Sequence, residues 1–141
     1  MGQPGLRHYE PAFVDELALF MEEAFRLLQR EGGESVYLRL STRTIRQIER
    51  SSEGWKRDAL AGGYWLREPA EGAEAAIVYM GAIAPEALAA WEALKEDVPG
   101  LGLVPLTTPA LLPPRGGGED RPVERSRAGA VPAVPGFCGV R

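Results

Sequence analysis

Two apolar runs with one helical pattern between them limit the folds open to this chain more than any other stretch. Glu74-Ala75-Ala76-Ile77-Val78-Tyr79-Met80-Gly81 is nearly continuously apolar, as expected of a strand covered on both faces in a parallel sheet. Pro85 suits the first turn of a helix through Glu86-Ala87-Leu88-Ala89-Ala90-Trp91-Glu92-Ala93-Leu94-Lys95, which Pro99-Gly100 ends. Leu101-Gly102-Leu103-Val104-Pro105-Leu106 follows as a second buried strand. Strand, helix and strand in so short a stretch make a βαβ unit with an expected right-handed crossover. The fold class is therefore α/β.

Upstream, Pro11 opens a segment with Ala12, Phe13, Leu17, Phe20, Met21, Ala24, Phe25 and Leu28 at helical spacing, which predicts a long helix with one broad apolar face. Asp15 and Glu16 near its start and Arg26 and Arg30 near its end complement the helix dipole, and Gly32-Gly33 stops it. In Ser35–Ser41, Val36, Leu38 and Leu40 alternate with Tyr37 and Arg39, the pattern of a strand. From Thr42 to Gly54 the pattern fails, with Arg43, Arg46 and Arg50 around two isolated isoleucines, so a loop or at most a short surface helix is expected. Gly62-Gly63 introduces a short strand, Tyr64-Trp65-Leu66-Arg67-Glu68, closed by Pro69.

Composition changes abruptly after Leu112. Residues 113–141 hold 11 Gly and Pro among 29 and carry five Arg against three acids, so their charge is +2 within a chain of −4. A flexible, basic tail is expected, because Pro removes hydrogen-bond donors and Gly raises the entropy lost on ordering. Over all 141 residues, 45% are hydrophobic, which excludes a wholly disordered chain, and the single Cys138 excludes a disulfide framework or a Cys-based zinc site within one chain. No apolar run approaches the roughly 18 residues of a membrane span, and the N-terminus has no signal-peptide stretch, so a cytoplasmic protein off the membrane is expected. The acidic balance argues against nucleic acid as a partner.

Candidate chemical groups are few. His8, the only histidine, has no second His or Cys to complete a metal site and reads as an exposed or capping residue at a frayed chain end. Thr42 and Arg43 follow the C-terminal end of a strand, where open α/β sheets place ligand-contacting loops. A hydroxyl and a guanidinium fork there suit a phosphate or carboxylate, and equally an ordinary polar loop. Met80-Gly81-Ala82 has the position of an anion-binding turn without its spaced glycines. Glu22 and Glu23 point about 100° apart on a helix and cannot share a substrate, so they read as a solvated face. Trp55, Trp65, Trp91, Tyr64 and Tyr79 read as core or interface aromatics, and Cys138 has no basic neighbour or His to activate it. No catalytic constellation is complete, no metal site is expected, and the catalytic residues stay unassigned.

The order of pieces nevertheless resembles a known family. HYEPAFVDELALFMEEAFRLL, ESVYLRLSTR, GGYWLRE and EAAIVYMGAIAPEALAAWEAL together are similar to the homodimeric-type E1 component of thiamine diphosphate-dependent 2-oxoacid (pyruvate) dehydrogenase complexes, in the transketolase superfamily. The resemblance covers residues 9–112 and a small interior part of such an enzyme, and no single motif carries it. It implies a partial transketolase-like fold. Residues 1–8 would be a flexible N-terminus and 9–54 the end of a pyrimidine-binding-like domain with a linker. Residues 55–112 would start a transketolase C-terminal-like domain, and 113–141 would be the disordered tail.

For function, the resemblance implies a parent enzyme that decarboxylates a 2-oxoacid oxidatively on thiamine diphosphate and passes the acyl group to a lipoyl group of E2. Its partners would be the remainder of an E1 enzyme or a second E1 subunit, and the E2 lipoyl component. The family holds the diphosphate and Mg²⁺ with a GDG-type motif that this sequence lacks, so this chain alone is expected to bind neither and to be inactive. Dehydrogenase relatives also carry a His in the loop here spanning Thr42–Arg50, which has none; Thr42 and Arg43 occupy that loop and are the substrate-binding candidates. The Gly/Pro/Arg-rich turn of the sequence after Leu112 would suit a truncated or frame-shifted product. The alternative is a standalone transketolase-like interaction module that pairs with a partner chain.

Overall fold

The computed structural model describes residues 5–108, and the expectation of a disordered tail therefore lies outside the described residues. The elements run β1 (Leu6–Tyr9), α1 (Val14–Gln29), β2 (Ser35–Leu38), α2 (Trp55–Ala61), β3 (Ala76–Met80), a 3₁₀ turn (Gly81–Ile83), α3 (Ala84–Leu94) and β4 (Gly102–Leu106). They form two parallel two-stranded sheets, β1 with β2 and β3 with β4. In the first, Leu6 stands opposite Ser35 and Tyr9 opposite Leu38; in the second, Ala76 stands opposite Gly102 and Met80 opposite Leu106. The βαβ unit and the α/β class thus take the form expected, with Pro85 in the first turn of α3. No helix among the described residues is long and apolar enough to cross a membrane.

Several expectations need correction. Residues 6–9 are not a frayed end: β1 is built there because its backbone finds a parallel partner in β2. His8 lies in that strand with its ring edge-on to Tyr37, 4.9 Å between centroids. Residues 63–67 make only isolated antiparallel bridges to β4, at Gly63–Leu106 and Arg67–Leu103, rather than a regular strand. Trp65 crosses closely over the β4 backbone here, and a Cβ at Gly102 would stand 2.6 Å from its ring. β3 is not covered on both faces, for Val78 is 49% exposed. α2, seven residues of mixed polarity, was not expected as a helix at all.

α1 also divides where one broad face was expected. Glu16, Phe20, Ala24 and Leu27 point inward, whereas Met21, Phe25 and Leu28 stay exposed, because only one layer of described residues packs against the helix. Two core clusters result. One gathers Phe13, Tyr79, Ala84, Ala87 and Leu103 beneath α3. The other gathers Tyr9, Phe20, Ala59 and Tyr64 beneath α1, with the Tyr9 and Phe20 rings stacked at 4.5 Å. Thr107 ties them together. Its N–H donates to Gly62 O and its hydroxyl to Ala59 O, and its carbonyl accepts from Glu10 N–H at 2.9 Å.

Candidate functional site

The carboxyl ends of the strands are where a parallel sheet presents its loops, and in this chain all four such ends meet. The Glu10–Thr107 backbone bond joins the end of β1 to the end of β4. From the loop after β2, the Arg43 guanidinium reaches across to the turn after β3, donating to Ala82 O at 3.3 Å and pairing with Glu86 Oε1 at 2.6 Å. Arg39 lies 3.4 Å from Glu10 Oε2. Gly81 takes φ +58°, and a Cβ there would stand within 2.6 Å of Glu10 Cγ, so glycine is needed both for the turn and for the approach of the Glu10 side chain.

Of the two residues expected to contact substrate, Arg43 lines a cleft of about 160 Å³ with Pro11, Val14, Leu17, Leu40 and Ser41. Thr42 is exposed and does not line it. The Arg43 N–H donates to Ser41 Oγ at 3.0 Å, which shapes the loop locally. The Arg43 guanidinium also holds the Glu86 carboxyl below its ordinary range. The edge is therefore electrically self-satisfied, with each of its two arginines opposed by a glutamate.

That arrangement does not fit the diphosphate and metal of the resembled family. An incoming diphosphate needs unopposed cations and free backbone N–H groups. Arg39 and Arg43 already face Glu10 and Glu86, and the Glu10 carboxylate packs against the Gly81 turn that an anion would approach. Among the described residues no group of three or more His, Cys, Asp or Glu is placed to hold a metal ion.

A second polar cluster has little signature in the sequence. Glu16, expected only to complement a helix dipole, is 1% exposed and lies between the two core clusters. Its Oε2 accepts from the backbone N–H groups of Ala12 (2.6 Å) and Phe13 (3.1 Å), at the N-terminus of α1 where helices leave donors unpaired. Its Oε1 accepts from the Tyr64 hydroxyl at 2.5 Å. Arg50, from the 42–54 loop, approaches that oxygen to 3.7 Å and binds Asp15 through Nε at 2.6 Å and Nη2 at 3.3 Å. The guanidinium also lies 4.2 Å from the Trp55 ring centroid and 5.0 Å from that of Tyr64.

Burial pushes the Glu16 carboxyl above its ordinary value, against the opposing pull of Tyr64, the two backbone donors and Arg50. Burial likewise raises the Tyr64 and Tyr79 phenols. A raised carboxyl in an open cleft would suit proton transfer. Here its oxygens are occupied by Ala12, Phe13 and Tyr64 and it does not line the cleft, so the cluster acts as a clasp between α1, the 42–54 loop and the segment after α2.

The Glu22–Glu23 pair behaves as a surface, with Glu22 exposed and Glu23 chelated by Arg26. Tyr64 and Tyr79 are core residues, and Trp55 and Trp91 pack partly buried against the two clusters. Cys138 lies outside the described residues.

The chain matches no protein-family model and no curated protein. It is similar in fold to solved structures of three variants of transketolase from Pichia stipitis, one of them in complex with fructose 6-phosphate. Each superposes with a TM-score of 0.58 at 24% identity over 76% of this chain. The chain spans 15% of the length of those transketolases. The likeness establishes a partial transketolase-like α/β fold.

Proposed function

We propose that this chain is a fragment or partial relative of the E1 component of a 2-oxoacid dehydrogenase, inactive by itself. In the parent enzyme, a cytoplasmic oxidoreductase of the pyruvate dehydrogenase type, thiamine diphosphate and Mg²⁺ supply the decarboxylation chemistry. The remainder of the E1, or a second E1 subunit, completes the site, and the E2 lipoyl group receives the product. Thr42 and Arg43 are the substrate-side candidates.

The observation that carries this reading is the meeting of four strand ends in a transketolase-like arrangement whose charged groups pair with one another. Among the described residues the arginines of this edge already face glutamates, which supports the expectation that the chain does not grip a diphosphate by itself. The E1 assignment within the superfamily rests on the order of the sequence blocks from Tyr9 to Leu112. Isothermal calorimetry of the 141-residue chain with thiamine diphosphate and Mg²⁺ should give no binding heat, and the chain should release no CO₂ from pyruvate. Binding by the chain alone would overturn the reading.

A second reading, a module that pairs with a partner chain, is favoured by β3. Among the described residues it pairs only with β4 and leaves Val78 half exposed beside an unpaired edge. The two readings separate by gene context: a neighbouring reading frame encoding the rest of an E1 supports the first, and an unrelated neighbour supports the second.

A further inference from the structure

The outward face of α1 is patterned. Val14, Ala18, Met21, Phe25 and Leu28 recur at alternating steps of four and three, the spacing that lines up a continuous apolar seam along a helix. All five are exposed, with Val14 at 62%, Phe25 at 56% and Leu28 at 57%. An apolar stripe of this length on one exposed helix marks a contact surface rather than scattered surface residues. Glu22 on α1 and Glu31, two residues beyond its end, are also exposed; Asp15 is engaged by Arg50 and Glu23 by Arg26.

A matching pattern lies in the chain itself. Residues 125–141 read RSRAGAVPAVPGFCGVR, with three Arg and no acid. Val131, Val134, Phe137 and Val140 recur at every third residue, and Pro132 and Pro135 lie between them. In a polyproline II chain, which those prolines favour, a three-residue period puts all four on one edge at steps of about 9.3 Å. Along α1, Val14, Met21 and Leu28 are seven residues apart, or about 10.5 Å per step. The two apolar ladders are therefore similar in step, differing by about 1.2 Å per rung, and the arginines that precede the tail ladder are opposite in charge to the exposed Glu22 and Glu31.

We infer that residues 125–141 dock in cis along the exposed seam of α1. Reach does not oppose this. Thr107 is bonded to Glu10, four residues before α1 begins, and residues 108–130 can span up to about 75 Å. Tethering makes the contact intramolecular and favours it over capture of a second copy. The tail would then shield the apolar face of α1 and compete with any partner that uses it. This inference is independent of the E1 reading.

Cys138, the only cysteine, permits a direct test on the full chain. A nitroxide attached there sits beside Phe137 but off the Val131–Val140 edge. Amide signals of residues 14–28 should fall in intensity by about twofold or more relative to those of α3, unchanged on about tenfold dilution, as an intramolecular contact requires. Val134→Asp with Phe137→Asp should restore them, and so should Phe25→Asp, whose site is exposed and leaves the fold intact. Absent or uniform broadening overturns the inference. So does broadening that fades on dilution, which would assign the seam to a second copy. Broadening of α1 that persists in both aspartate variants would also overturn it.

Discussion

Replacing Arg50 by Ala probes the clasp most directly. Arg50 is the cation that approaches buried Glu16, and its side chain is 13% exposed. The two-pronged contact with partly exposed Asp15 contributes about 0.5–1 kcal/mol. Stacking of a desolvated guanidinium on Trp55 adds about 1–2 kcal/mol. Glu16 keeps its three hydrogen bonds but loses its counter-charge, about a further 1 kcal/mol. These terms share one side chain and do not add fully, so the expected loss is about 2–4 kcal/mol, a large part of the roughly 5–15 kcal/mol that holds a domain folded. With a urea m-value of about 1 kcal/mol/M, the unfolding midpoint should fall by about 2 M or more, read from tryptophan fluorescence because Trp55 lies against the guanidinium. Arg50→Lys keeps the charge without the planar fork and should fall between wild type and Ala. If Arg50→Ala unfolds within about 0.5 kcal/mol of wild type, as a surface change such as Arg57→Ala should, the clasp is not a stability element and the reasoning fails.

Glu16→Gln should flatten the dependence of stability on pH. A carboxyl raised above its ordinary 4.5 by burial favours folding fully below that value, and the contribution is lost as pH rises through the folded value. Urea midpoints of wild type and variant should therefore converge on going from acidic to neutral pH, and parallel profiles would exclude the burial origin. Gly81→Ala should cost about 1–3 kcal/mol through its positive φ and its clash with Glu10, and Glu10→Ala should relieve only the clash part. Arg43→Ala should let the Glu86 carboxyl rise toward its ordinary value, read by NMR titration; an unmoved Glu86 would mean that the pair across the two strand ends does not persist in solution. Phe20→Ala, in the cluster beneath α1, should lower stability by about 3–5 kcal/mol, whereas Phe25→Ala on the same helix should change it far less; equal losses would show that both faces of α1 are packed.

What the sequence revealed, and what it hid, follows from the range of the forces involved. α1 and the β3–α3–β4 unit were legible because each announces itself locally, through apolar period, an early proline or a terminal glycine. β1 was not, since Leu6-Arg7-His8-Tyr9 has no strand-like alternation and is extended only because β2, reached through a 16-residue helix, offers a parallel edge. The 42–54 segment is irregular, as its failed periodicity implies, yet its two isoleucines pack on the core beneath α3 and its Arg50 turns inward. Nothing local separates Arg50 from Arg46. The spacing of Ile45 and Ile48 was the available hint that this loop lies on apolar surface. Of the two site candidates, Arg43 lines the cleft between the start of α1 and the loop after β2 and Thr42 does not, a distinction set by loop geometry that residue type cannot convey.

The same contrast bears on why the strand-end edge is closed. Ion pairs between exposed side chains contribute little to stability, so Arg39 with Glu10 and Arg43 with Glu86 are poor candidates for what holds the two sheets together. The backbone bond from Glu10 to Thr107, the Thr107 hydroxyl on Ala59 and the clasp at Glu16 do that in buried surroundings. The edge pairs are then free to exchange partners at small cost. A partner chain presenting its own carboxylates could compete with Glu10 and Glu86 for these arginines, whereas a diphosphate would still meet the Glu10 carboxylate packed on the Gly81 turn. Closure of the edge in the isolated chain therefore does not conflict with the proposed pairing to a further chain, because exposed ion pairs hold it shut only weakly.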